Sequence, residues 1–304
     1  MVIDTELRQG LIVGASGFIG SLLCKELNRN LKARLVKISR KDYVDESFIK
    51  CDVRDSEEVK KVLTGMHFDF IVYLVADTTI SSLTGKIKHI ELSVNGLINI
   101  VESLDFRMPT KLIFMSSAEI YGKFSAGATE CSPLSPRSFY GLSKFLGEKT
   151  VSFYEKSIPN LSTVILRPSL VFGNGGKDRF FVNQAIRTLK IGEEFNMTLG
   201  EQTRDFIHVN DVVSGILQCL KFNDISHGVF NVSSGRGIRL KDVILYVSKK
   251  LNSSSKINFG ALEYRDNEIM NYEINSKKLQ SKTEWIPSIS LYDWISAEVE
   301  NSGE

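Results

Sequence analysis

The sequence predicts an α/β fold: a doubly wound parallel sheet with a smaller C-terminal α/β lobe. Short apolar strands alternate with amphipathic helices, a glycine-rich turn joins the first strand to the first helix, and polar residues follow several apolar runs at their C-terminal ends. Such alternation builds βαβ units with parallel strands. Past the sixth apolar run it loosens, which divides the chain into a dinucleotide-binding unit over 1–165 and a partly interleaved substrate lobe over 166–304.

The first strand and helix meet at G-L-I-V-G-A-S-G-F-I-G, Gly10 to Gly20. The apolar run Leu11–Val13 reads as a strand, and the periodic segment from Phe18 towards Leu27 as a helix. Glycines at such a turn let the backbone approach a ligand, and the free N–H groups of the new helix face an anion, typically a dinucleotide pyrophosphate. Gly14, Ser16, Gly17, Phe18, Ile19 and Gly20 are therefore the first cofactor-binding candidates.

Ala33–Ile38 reads as the next strand and ends in Ser39-Arg40-Lys41. An NAD-type site would carry an acid here for the adenosine ribose, whereas a hydroxyl followed by cations suits a ribose 2′-phosphate. Ser39 and Arg40 thus favour NADP(H), with NAD(H) possible; the plainer reading is a solvated turn whose Arg40 stacks on adenine. Phe48–Cys51 is a short strand followed by Asp52 and Val53, where Asp52 could accept the adenine amino group. Asp55 or Ser56 would cap the following helix. Phe70–Val75 is continuously apolar, as the buried middle of a parallel sheet should be, so Val75 and Ala76 would border the cofactor.

Apolar residues from Ile87 to Leu104 recur at three and four, marking one long amphipathic helix. Within it Asn95 could bond a neighbouring strand's backbone. Lys111–Met115 is a strand running into Ser116-Ser117-Ala118-Glu119, at the sheet end where ligand chemistry gathers. A helix from Tyr140 to Tyr154 puts Tyr140 and Lys144 on one face. A phenol with pKa near 10 exchanges protons poorly at neutral pH unless its phenolate is stabilised. Lys144 would lower that pKa while Ser117 holds a substrate oxygen. Further on, Ser162–Arg167 and Gly228–Val232 read as strands, and Asn210/Asp211 as the cap of a helix reaching Leu220.

Composition bounds the partners. With 304 residues, 42% hydrophobic, 24% charged and a net charge of +2, the chain gives no reason to expect nucleic acid or an anionic membrane as partner. Cys24, Cys51, Cys131 and Cys219 form no C-x-x-C pair and read as buried or half-buried free thiols; the four histidines lack metal-ligand spacing. Neither a signal peptide nor a membrane span is visible, so a cytoplasmic enzyme is expected.

Gly14-x-x-Gly17-x-x-Gly20, Ser116 to Gly122, Tyr140-x-x-x-Lys144, Leu166-Arg167-Pro168 and Arg204 to Asp211 resemble, in order, the extended short-chain dehydrogenase/reductases acting on nucleotide sugars, the NAD-dependent epimerase/dehydratase family. The resemblance implies a Rossmann-type sheet, Tyr140 as acid/base, Lys144 as its electrostatic partner and ribose ligand, and Ser117 at the reacting sugar oxygen. It also implies Arg179, Arg204 and Arg265 as substrate ligands, with Arg204 and Arg265 on the diphosphate, which suits arginine's paired donors. The tail from Phe259 to Met270 is similar to the CDP-abequose and paratose synthase group, which reduces 4-keto deoxysugars for polysaccharide assembly. That points to NADPH-dependent C4 reduction; a 4-epimerase using bound NAD+ and a non-catalytic NADP-binding regulator are the alternatives.

Ala118 stands where dehydratases carry an acid, which disfavours elimination of water; Glu119 beside it either touches the sugar or forms a hydrogen-bonded wall. Leu170 replaces the family's usual asparagine near the substrate. A homodimer through the 87–104 and 140–154 helices is the expected assembly, although their apolar faces could equally pack on the sheet.

Overall fold

The computed structural model describes residues 8–31, 33–78, 86–176, 178, 180–221 and 225–301. The first half contains β1 (Gln9–Val13), α1 (Phe18–Asn30), β2 (Arg34–Ser39), β3 (Phe48–Lys50), α2 (Ser56–Leu63) and β4 (Phe70–Tyr73). Then come α3 (Lys86–Ile90), a π-helical turn (Glu91–Asn95), α4 (Gly96–Ser103), β5 (Thr110–Met115), a 3-10 segment (Ala118–Phe124), β6 (Ala126–Ala128) and α5 (Phe139–Ser157). The second half holds β7 (Leu161–Pro168), β8 (Leu170–Phe172), α6 (Phe181–Lys190), β9 (Phe195–Met197), β10 (Thr203–His208) and α7 (Val209–Lys221). It finishes with β11 (Gly228–Val232), β12 (Gly237–Arg239), α8 (Leu240–Lys250), β13 (Ile257–Phe259), β14 (Glu273–Ile274), α9 (Lys277–Lys282) and α10 (Leu291–Asn301).

Seven parallel strands in the order β11-β7-β5-β4-β1-β2-β3 make the main sheet. All four residues of β4 are buried, which is why its sequence is apolar without alternation. One face packs on α1 and α7 through Leu23, Leu27, Val213 and Ile216; the other packs on α2, α4 and α5 through Val59, Leu97 and Val151. The chain crosses from one face to the other between β1 and β4, so a crevice opens beyond the C-terminal ends of these strands. A second lobe groups β12-β10-β8 and β13-β9 with α6, α8 and α10 around Phe172, Leu189, Phe206 and Ile244. β11 returns from that part of the sequence to the main sheet.

Three sequence expectations change here. The 87–104 segment is not one regular helix: the π turn inserts a residue and leaves the Leu92 carbonyl to accept the Tyr73 hydroxyl at 2.5 Å. Asn95 is exposed, and it is Asn99 that donates to the Val53 carbonyl, at 2.8 Å. Asp211 does not cap its helix, which begins at Val209. Its carboxylate instead accepts from the Ser288 amide and hydroxyl and the Ile289 amide at 3.0–3.1 Å, pinning the segment that leads into α10. Asp55 does cap α2, accepting from the Glu57 and Glu58 amides.

Candidate active site

At the crevice the glycine turn is built to approach a ligand. Gly14 has φ +93°, and a Cβ at Gly20 would stand 2.2 Å from the Gly14 carbonyl oxygen, so the turn closes only without side chains there. α1 follows the N-cap residue Gly17, with no side-chain cap and no acid in its first turn, leaving the amides of Phe18 and Ile19 for an anion. These residues fit a dinucleotide pyrophosphate. Ser16 Oγ lies 3.0 Å from Ser39 Oγ, joining the glycine turn to the end of β2, and Ser39 also accepts from the Lys41 amide.

Arg40 is exposed beside Asp52, whose carboxyl is held below its usual range chiefly by hydrogen bonds from the Arg54 side chain. Both Asp52 oxygens bind that guanidinium, at 3.0 and 2.6 Å, so the acid expected at adenine is already clasped. Val53 is buried below it, while Val75 and Ala76 follow β4, with Val75 packed against Gly14.

Across the crevice, the 3-10 segment after β5 starts at Ser117, and α5 starts at Ser138, whose hydroxyl accepts from the Gly141 amide. These caps bring three residues of the predicted constellation together. The Ser117 hydroxyl lies near enough to the Tyr140 phenol to favour its ionised form, and Lys144 sits one turn on with its ammonium 6.0 Å from the Tyr140 ring centre. Lys144 is 1% exposed and donates to the Met115 carbonyl at 2.8 Å. Burial pulls its pKa down to about 7, with Glu148 opposing. The expected acidification of Tyr140 is not found in the chain alone: burial pushes the phenol up to about 12, the Ser117 hydroxyl opposing and Glu119 adding to the rise. Desolvation of the phenolate outweighs the help of the Ser117 hydroxyl.

Glu119 is raised by burial against the pull of Arg204, a 3.4 Å bond from the Ser138 hydroxyl, and Arg265. Arg204 and exposed Arg265 therefore both bear on the Glu119 side of the site. Arg204 is not idle: its guanidinium bonds the Glu268 carboxylate and donates to the Ile269 carbonyl at 2.7 Å. Ala118 is fully buried with Ile120, Ala128, Tyr272 and Ile274, so its methyl is part of the wall behind the site. Leu170 packs against that same cluster. Arg179 lies outside the described residues.

Sequence reasoning missed several neighbours. Buried Tyr272 feels the charges of Glu119, Arg204 and Tyr140. Beneath Lys144, Glu148 accepts two bonds from Arg167, at 2.9 and 2.7 Å, and one from Ser116 at 2.5 Å. Arg167 also donates to Tyr121, which in turn donates to Asn231. Asp205 is fully buried and accepts from the hydroxyls of Ser169 and Ser234 and the amides of Ser234, Gly235 and Ile274. Each of these pairs is remote in sequence and gives no periodic signal. The cysteine expectation holds except at Cys131, which is exposed.

A parallel sheet with a glycine turn at its crossover and a Ser-Tyr-Lys cluster at the end of β5 defines a dinucleotide-dependent class of protein. The chain belongs to the NAD dependent epimerase/dehydratase family, whose model matches residues 10–233. Among its relatives, the CDP-abequose synthase of Salmonella typhimurium is 30% identical, with 93% of this chain and 95% of the relative covered. The UDP-glucose 4-epimerase of Mycoplasma genitalium is 28% identical, covering 81% and 82%. A crystal structure of the UDP-glucose 4-epimerase of Thermotoga maritima with UDP-glucose superposes with a TM-score of 0.86 at 21% identity, over 97% of this chain and all of that one. The UDP-glucuronic acid 4-epimerase of Bacillus cereus, in complex with UDP-glucuronic acid and NAD, gives 0.83 at 23%, over 96% and 98%. No helix among the described residues is long and apolar enough to cross a membrane.

Proposed function

We propose that the chain reduces the C4 ketone of a nucleotide-linked 4-keto-6-deoxy sugar with NADPH. The observation that carries this reading is Lys144 buried one turn from Tyr140, its ammonium 6.0 Å from the Tyr140 ring and bonded to the Met115 carbonyl, with Ser117 beside the phenol and an uncapped α1 across the crevice. Similarity to CDP-abequose synthase over nearly the whole length supports it.

The nicotinamide, when bound, supplies the hydride. Tyr140 gives its proton to the ketone oxygen, and Ser117 donates to that same oxygen as charge builds on it. The phenolate left behind is stabilised by Lys144 in its cationic form, so ketone, hydride and proton become the alcohol. Arg204 and Arg265 hold the substrate diphosphate. Ser39 and Arg40 hold the 2′-phosphate that distinguishes NADPH from NADH, and exposed Ile87, Phe139 and Phe153 on α3 and α5 supply a homodimer contact.

Incubation with CDP-, dTDP-, UDP- and GDP-linked 4-keto sugars and NADPH tests the reading by absorbance loss at the nicotinamide band. Oxidation with one of them is expected; none with any removes it. The second reading, a 4-epimerase, is favoured by the similarity to UDP-glucose 4-epimerases. Cofactor that stays bound through purification, with no net NADPH consumption, would establish it instead. If Tyr140→Phe left every activity unchanged, a binding-only role would stand.

A further inference from the structure

Lys144 is buried, and an acid whose charge bears on it is buried in the same helix. Glu148 follows Lys144 by one helical turn on α5 and is itself buried. Its two oxygens are fully engaged: Oε2 takes Arg167, while Oε1 takes Arg167 and the Ser116 hydroxyl. Ser116 is flanked by the two groups the site depends on. Met115 supplies the carbonyl that accepts the Lys144 ammonium, and Ser117 supplies the hydroxyl beside Tyr140.

We propose that Glu148 is a positioning residue for the reacting centre: its bond to Ser116 fixes the strand end that orients Lys144 and Ser117. This inference rests on the reading of Tyr140 and Lys144 given above. The Arg167 fork holds the carboxylate in one place, which a solvent-exposed acid at the same spacing would not achieve. The charged and titratable groups around Lys144 are Tyr140 and Glu148 on α5, Arg167 on β7 behind Glu148, and His89 on α3, edge-on to Tyr140. Of these, Glu148 is the one whose charge acts on Lys144, and it favours the protonated form.

The direct test follows Lys144 itself. In protein carrying 13C at the lysine ε-carbons, the Lys144 resonance is assigned by its loss in Lys144→Met and titrated without substrate. Glu148→Gln alone would strand the Arg167 cation in the core, so it is paired with Arg167→Met, which removes both charges while the introduced side-chain amide can still accept from Ser116. The titration midpoint, near pH 7 in the wild type, is expected to fall by about one pH unit, a tenfold fall in the ammonium-to-amine ratio at a given pH. Ser116→Ala keeps the charge: the midpoint should stay while kcat drops about tenfold or more at unchanged KM. An unmoved midpoint in the folded double variant, or wild-type kcat in Ser116→Ala, overturns the inference. Wild-type protein inactive on every 4-keto sugar would refute the proposed reaction instead, and the lysine titration would still decide the charge effect.

Discussion

Lys144 reaches out of α5 to the Met115 carbonyl at the end of β5, and its ammonium is sealed from water. Its pKa in the fold is about 7 against an ordinary 10.5, so folding stability depends on pH. Below pH 7 folded and unfolded chains both bind the proton, and the cost of burying the charge is fully present. Between pH 7 and 10.5 only the unfolded chain binds it, so stability rises with pH. Buried Cys51 and Cys219, pushed up to about 12 from 9.0, reverse the slope above pH 9. The cofactor-free protein should therefore gain Tm from pH 6.5 to 8.5 by calorimetry. Lys144→Met should melt above the wild type at pH 6.5 and lose most of that slope.

Gly20→Ala should abolish tight dinucleotide binding while leaving the fold in place. The new methyl would meet the Gly14 carbonyl and the Ala15 backbone, forcing the turn apart where the pyrophosphate sits. Titration of nicotinamide fluorescence should show affinity falling by about a hundredfold, the equivalent of roughly 2–3 kcal/mol of strain. Circular dichroism should be unchanged.

Arg204 exchanges one anion for another if it binds a diphosphate, because Glu268 already occupies it. Glu268→Gln should weaken that competition and tighten nucleoside diphosphate binding several-fold in calorimetric titration. Weaker binding would mean that Glu268 orients Arg204 for the substrate rather than competing with it.

Asp205 joins parts of the chain remote in sequence: Ser169 between β7 and β8, β10 itself, the turn after β11, and β14. Asp205→Ala would leave three backbone amides without their acceptor, at about 1–3 kcal/mol for each buried group. Urea unfolding should show a loss of at least about 3 kcal/mol. Asp205→Asn should lose less, since its carbonyl can still accept.

What could be read in the sequence was whatever local spacing encodes. Gly14, Gly17 and Gly20 mark their turn, and Tyr140 and Lys144 share a face, because the cause lies within a few residues. Burial cannot be read that way, so a phenol expected to be acidified is instead pushed up to about 12. Partners set by the tertiary fold are equally hidden. Asp211 looks like a cap, yet its donors lie 77 and 78 residues downstream. The π turn escaped because a repeat of threes and fours tolerates one inserted residue, and Arg204 looked free because Glu268 is 64 residues away.

β11 joins β7 in parallel, Gly228 beside Val164 through Val232 beside Pro168. During synthesis the edge of β7 must therefore wait for about sixty further residues before its hydrogen bonds are met. In that interval the nascent sheet carries an open, apolar border, the kind of surface on which chaperones act and neighbouring chains adhere. For this chain, the step most exposed to misassembly in a cell is the arrival of a strand rather than the chemistry of the crevice.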